Sequence, residues 1–227
     1  MAQAHWQALA AWNDFYDAFY VEDVRNLIFE MIAMGMNKPG TQYLVAEDSL
    51  GGVVGFVRWQ TIPATGEPGP GTESDEVVAR RKALLTTKEH LKDLWEKFGE
   101  RGDEMEKVHD GVVKGRRHLH IVHLMIDPSY QRRGIGGVLL SAVTAKADAE
   151  RLPAFITASR EAHGLYLKHG FNDIGGGWPI DNAGWMERVV ARERELGMEV
   201  SEREQLLARV REMEPEMEWL MVKESRL

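Results

Sequence analysis

The sequence predicts an α/β or α+β chain built on one mixed sheet with helices against its faces. Three observations lead there. Runs rich in β-branched and aromatic residues alternate with stretches of helical apolar period. Two of the β-rich runs, TQYLVAED and VVGFVRWQ, are separated only by the turn SLGG. A third, HLHIVHLMI, passes through Asp127-Pro128 into a joint rich in arginine and glycine, after which an apolar helical pattern begins.

The elements follow in order. Residues 2 to 36 read as helical: Val24, Leu27, Ile28, Met31 and Ile32 make one apolar stripe at i, i+3, i+4, i+7 and i+8. Asn37-Lys38-Pro39-Gly40 stops it. The two runs around SLGG then read as an antiparallel hairpin. TIPATGEPGPGTESD is a loop by its proline and glycine. Residues 75 to 100 carry Leu84, Leu91, Leu94, Trp95 and Phe98 among charges, an amphipathic helix, whereas GERGDEMEKVHDGVVKGRR reads as a polar connector. After the strand HLHIVHLMI comes a helix from about Gly134 to Arg151. The strand PAFITAS, the short helix EAHGLYLKHG and the strand FNDIGG follow. Ser201-Glu202-Arg203-Glu204 has the form of a capping box and opens a helix to about Met213, and EWLMVKE is a last strand.

Composition sets outer limits. The chain has 227 residues, 44% hydrophobic and 28% charged, enough for a sizeable core. A net charge of -8 argues against bulk nucleic-acid binding while leaving a local basic site open. The chain has no cysteine, which excludes disulfides, thiolate metal sites and a cysteine nucleophile. No apolar run reaches the roughly 18 residues of a membrane span, and the aromatic N-terminus does not read as a signal peptide. The expectation is a soluble, cytoplasmic protein, with the nucleus left open.

The joint Gln131-Arg132-Arg133-Gly134-Ile135-Gly136-Gly137 carries the chemistry. Glycines let backbone approach an anion, and the free N–H groups of a first helical turn point at it, with the helix dipole in support. No G-K-[ST] is present, so this is not a P-loop, and GIGG lacks the G-x-G-x-x-G spacing of a dinucleotide fold. A surface turn with two solvated arginines is the plain alternative.

Q-R-R-G-I-G, placed just after a strand ending in Asp-Pro, resembles motif A of the GNAT acetyltransferase superfamily. Downstream, ITASREAHGLYLKHGF is similar to that family's second signature through Ser159, Tyr166, Gly170 and Phe171. The resemblance covers roughly residues 22 to 61 and 118 to 176, and among members it is nearest to uncharacterised fungal ones. It implies a single domain over residues 1–227 with a helical insertion at about 73–112. The implied fold is the GNAT acyl-CoA N-acyltransferase fold, a mostly antiparallel sheet splayed where acetyl-CoA enters. Most members begin with a strand before the first helix, and this chain has little room for one.

The resemblance also implies roles. Backbone N–H groups from Arg132 to Gly137, Ile135 and Gly136 among them, would cradle the pyrophosphate, helped by the side chains of Gln131 and of Arg132 or Arg133. The main chain of Leu124, Met125 and Ile126 would pair with the pantetheine arm, and an amide there would face the thioester oxygen. Tyr166 would protonate the leaving thiolate; it is otherwise a core tyrosine. Ser159 would bond the pantetheine arm, order a water or cap the strand end. Lys168 would approach the adenosine phosphate or stay solvated.

The base is chosen among the strand histidines. His120 lies eleven residues before Gln131, where several members place a glutamate or histidine. Alternation puts His118 and His120 on one face and His123 on the other, unless a bulge changes the parity. An imidazole is poorly matched to an ammonium, so a water relay is expected. The implied activity is transfer of the acetyl group of acetyl-CoA to a primary amine, first a small molecule. The alternatives are a protein or peptide amine, or an acetyl-CoA sensor without turnover. No metal, nucleic acid or membrane is expected as a partner, and the state would be a monomer or homodimer.

Overall fold

The computed structural model describes residues 1–225. Three helices open the chain: α1 (Ala2–Ala8), α2 (Ala10–Phe19) and α3 (Val24–Met36). They break where the sequence suggested one long helical region. Ser-free Val21-Glu22-Asp23 ends α2, and the Asp23 carboxylate accepts the Arg25 and Asn26 N–H groups to cap α3. The hairpin forms as expected from β1 (Thr41–Glu47) and β2 (Val53–Ile62). Next come α4 (Asp75–Leu84), capped by Ser74, and α5 (Lys92–Val113). The stretch read as a polar connector is therefore mostly the second half of α5. Gly99, Gly102 and Gly111 are poor helix formers, but Phe98, Met105 and Val113 continue a buried stripe, and tertiary packing outweighs the glycine propensity.

The remainder is β3 (His118–Ile126), α6 (Ile135–Glu150), β4 (Ala154–Ser159), α7 (Arg160–Lys168), β5 (Asn172–Ile180), α8 (Asn182–Glu195), α9 (Ser201–Glu212) and β6 (Glu216–Lys223). Helix α8 was not anticipated from sequence. The proposed capping box does not form: Val200 is the N-cap of α9, and the Ser201 N–H donates to the Glu199 carboxylate at 2.7 Å.

The sheet runs β1-β2-β3-β4-β6-β5. All neighbours are antiparallel except β3 and β4, which are parallel and pair only at Leu119↔Ala154 and His120↔Phe155. Beyond those pairs the two strands part. The expected splay is thus present, and no strand precedes α1 among the described residues. One face of the sheet packs on α6 and α7 around Val57, Trp59, Leu119, Ile121, Leu140, Val143, Ile156 and Phe171. The other face lies under α1 to α3 and α5. There a second core joins Phe15 and Phe19 of α2, Leu94 and Phe98 of α5, Met186 and Val189 of α8, and Leu207 of α9. Among the described residues no helix is long and apolar enough to cross a membrane.

Candidate functional site

Two features meet where β3 leaves β4. The first is the loop from β3 into α6. Asp127 accepts the Ser129 N–H at 2.9 Å, and Tyr130 Oη donates to Asp48 Oδ2 at 3.0 Å, which ties the loop to the β1–β2 turn. Arg132 has φ +62° and Gly134 φ +84°. Two left-handed residues flank Arg133, and left-handed residues alternating with right-handed ones are the element from which anion-binding nests are built. Gly134 is the N-cap of α6 and supplies no side-chain cap, so the first-turn N–H groups stay open to a ligand.

The glycines divide the work. A Cβ on Gly134 would meet nothing within 4 Å, so its need is the positive φ and an open approach. A Cβ on Gly136 would sit 3.3 Å from Leu165 Cδ2, and one on Gly137 3.6 Å from His169 Cε1. These two let α7 lie close to α6. Ile135 is half-buried against the same core. The loop side chains differ in availability. Gln131 Nε2 donates back to the Ile126 carbonyl at 3.1 Å, and Arg133 donates to the Ser129 carbonyl at 2.8 Å while its guanidinium lies 5.0 Å over the Tyr130 ring. Arg132 is exposed and makes no side-chain hydrogen bond or ion pair among the described residues.

The second feature is the slot itself. Leu124, Met125 and Ile126 lie on the stretch of β3 that has left β4, so the main chain on their β4 side has no strand partner. Opposite them, Ile156 to Ser159 of β4 are likewise unpaired toward β3. A bulge sits in β3: Trp59 pairs with Ile121, and Arg58 pairs with His123, which leaves Val122 extra. The bulge overturns simple alternation. His118, His120 and His123 pair with Ile62, Gln60 and Arg58, so all three share the face under the helices. Leu124 and Ile126 turn to the α6 face, where they pack on its core.

The electrostatics of these side chains are set by burial. His120 is pushed down to about 4, first by desolvation and then by His109 and His118. His123 falls to about 3 through desolvation, His5 and Arg58, and its ring lies 4.9 Å from that of His5. Both imidazoles are neutral at neutral pH, which makes them weak bases and serviceable hydrogen-bonding groups. Tyr166 is 3% exposed, packs against Phe171 at 5.6 Å between rings, and has its phenol raised well above the ordinary range by burial. It holds its proton firmly, so it suits hydrogen-bond donation to a thiolate better than complete transfer. Ser159 precedes α7 as its N-cap without a side-chain capping bond, and Lys168 is exposed at the other end of that helix. No group of three or more metal-ligating side chains is assembled among the described residues.

The slot has a lining that sequence reasoning missed. Thr157 is exposed in the middle of β4 although β4 is a central strand, so the helix-side face of the sheet is open above it. Beside it, Glu218 pairs with Ser159, and Glu216 lies two residues back on the same face. Asn182 Nδ2 donates to Glu216 Oε2 at 3.0 Å. Arg101 pairs with Glu218 at 2.9 Å, and Tyr16 of α2 feels both carboxylates. The signal in the sequence was the alternation Glu216-Met217-Glu218-Trp219-Leu220, which puts two acids on one face of a strand.

Comparisons with known proteins bear on these features. Residues 103–184 match the family model of the acetyltransferase (GNAT) domain. Over 58 residues the chain is 38% identical to an uncharacterised N-acetyltransferase of Schizosaccharomyces pombe. That match spans 26% of this chain and 24% of the relative. Among solved structures, one similar fold is that of histone acetyltransferase HPA2 and related acetyltransferase from Corynebacterium glutamicum. It superposes with a TM-score of 0.55 over 100% of this chain and 90% of that one, at 16% identity, a likeness of fold.

Proposed function

On the premise that this chain carries a GNAT acetyltransferase domain, we propose that it is an acetyl-CoA-dependent N-acetyltransferase acting on a primary amine. The observation that carries this reading is the parting of β3 from β4 directly beside the uncapped N-terminus of α6. An elongated ligand with a diphosphate at one end and a thioester at the other fits both. The nest at Arg132–Gly137 takes the diphosphate with Arg132 as its side-chain cation. The main chain of Leu124 to Ile126, which has no strand partner on its β4 side, pairs with the amide-bearing arm, with the Ile126 carbonyl already held by Gln131.

Acetyl-CoA supplies an activated acyl group. The chain supplies the rest. A β3 amide near the bulge faces the thioester oxygen and stabilises the oxyanion. Tyr166 donates to the departing thiolate, and Ser159 lies at the mouth between the arm and water. The neutral His120 and His123 position the amine or a water. A small amine is the first acceptor to test, and a protein or peptide amine the second.

The test is calorimetric titration of the purified protein with acetyl-CoA, beside NADH and ATP. Selective micromolar binding of acetyl-CoA supports the reading. A folded sample that binds none of the three sinks it. Binding without turnover of any amine or peptide would leave an acetyl-CoA sensor.

A further inference from the structure

The acids at the start of β6 have an arrangement that ordinary packing does not require. Glu216 is half-buried, yet it makes no ion pair among the described residues; Arg101 goes to Glu218 instead. Asn182 is 3% exposed, and it turns its amide N–H to Glu216 while its own Oδ1 is buried without a partner. A buried acceptor left unsatisfied costs on the order of 1–3 kcal/mol. The Glu216 carboxylate accepts one hydrogen bond, from Asn182, and has no cationic partner among the described residues, so it can still take N–H donors that carry a positive charge.

The position fits as well. Glu216 and Glu218 project from the face of the sheet that also carries His120 and His123, across the gap where β4 has left β3. The exposed Thr157 marks that gap as open. The groups facing Glu216 are Tyr16 from α2, Arg101 from α5, Glu161 from α7, Asn182 from α8 and Glu218 from its own strand. Arg101 is paired with Glu218, so Glu216, with Glu161 also near, leaves the surroundings net negative and suited to an incoming cation.

Building on the N-acetyltransferase reading, we infer that Glu216 is the general base. Itself held in place by Asn182 Nδ2, it receives the acceptor's primary ammonium and takes its proton before attack. The nitrogen lone pair then forms the C–N bond to the thioester carbon, and the C–S bond breaks. One proton goes to the thiolate and one leaves through Glu216 to solvent. Charge plus hydrogen bonding selects a small cationic amine over a neutral one. Burial raises the Glu216 carboxyl above its ordinary range, with Glu218 adding in the same sense, which brings it nearer the working pH of a base.

The experiment compares wild type with Glu216→Gln, using 1,4-diaminobutane, phenethylamine and a short N-terminally free peptide as acceptors. Acetyl-CoA titration of both proteins is the control. The expected result is unchanged acetyl-CoA affinity and kcat/KM about a hundredfold lower in the variant at pH 7. The wild-type pH profile is bell-shaped, with an acid limb above the ordinary carboxylate range. The variant's profile lacks that limb and climbs steadily to the amine's own pKa, because only the free amine reacts. Turnover within twofold of wild type with the acid limb retained overturns the assignment and leaves the acetyltransferase reading standing. Acetyl-CoA binding with no turnover of any acceptor by wild type overturns both the base and the enzyme. Failure of wild type to bind acetyl-CoA removes the premise.

Discussion

Acidification should loosen this protein through its buried imidazoles. His5 and His120 are held down to about 4 and His123 to about 3, in each case first by desolvation. An unfolded chain protonates the same rings near 6.5. The unfolded state therefore binds more protons as pH falls below 6.5, and folding stability drops until the folded-state values are reached. Linkage gives roughly 2 kcal/mol lost per ring between pH 8 and pH 5. His5 and His123 are neighbours and repel when charged, so the three together remove about 4–6 kcal/mol, a large share of a typical total of about 5–15 kcal/mol. The raised carboxyl of Glu216 works in the opposite sense and offsets a part. Thermal unfolding followed by circular dichroism at pH 8, 6.5 and 5 should show a fall on the order of 10–20 °C for a chain of this size. His120→Gln should remove about a third of that fall. A midpoint that stays level from pH 8 to pH 5, or a His120→Gln variant with the full wild-type slope, would refute the reasoning.

Other outcomes are equally specific. Tyr166→Phe should lower turnover at least tenfold and spare acetyl-CoA affinity, as read by steady-state kinetics beside calorimetry; unchanged turnover would remove the phenol as donor to the thiolate. Gly134→Asp places a carboxylate in the nest at a positive φ, and should abolish acetyl-CoA binding while circular dichroism still reports a folded protein. Phe98→Ala should cost about 3–5 kcal/mol in denaturant unfolding, because its ring meets Phe15, Phe19, Trp95 and Trp185 at 5.7, 6.3, 5.2 and 5.6 Å.

Local patterns carried the sequence reading where one element or one joint decides the outcome. The hairpin, the strand into Asp127-Pro128, the glycine joint and helix α6 all stand where the sequence put them, since each rests on short-range period and turn chemistry. Placements that depend on distant partners were not legible. Helix α5 runs through Gly99, Gly102 and Gly111 because Phe98 and Met105 are held by other elements. Helix α8 has an Asp181 cap and buried Met186, Val189, Val190 and Glu193 at helical spacing, but its charged sequence hides the stripe. The face of His123 depended on a bulge against β2, which no single-strand pattern reveals. Ser201 sits one position too late to cap α9, since Val200 takes that place. Glu216 was missed because a base was sought on the strand beside the glycine joint, whereas β6 reaches the slot only through its pairing with β4.

The near-complete separation of β3 from β4 also has a meaning for how the chain is made. Strands β1 to β3 come from residues 41–126 and strands β4 to β6 from residues 154–223, so each half of the sheet is one uninterrupted length of polypeptide. Helix α6 joins them, resting on the first half, while α7 rests on the second. During synthesis residues 41–126 emerge before residues 154–223, so the open side of β3 is made before the strand that faces it. The seam of the molecule is therefore a natural place to cut it. Two fragments divided between α6 and β4 would each carry three consecutive strands, and they would meet again through α2 and α5 of the first packing on α8, α9 and β5 of the second.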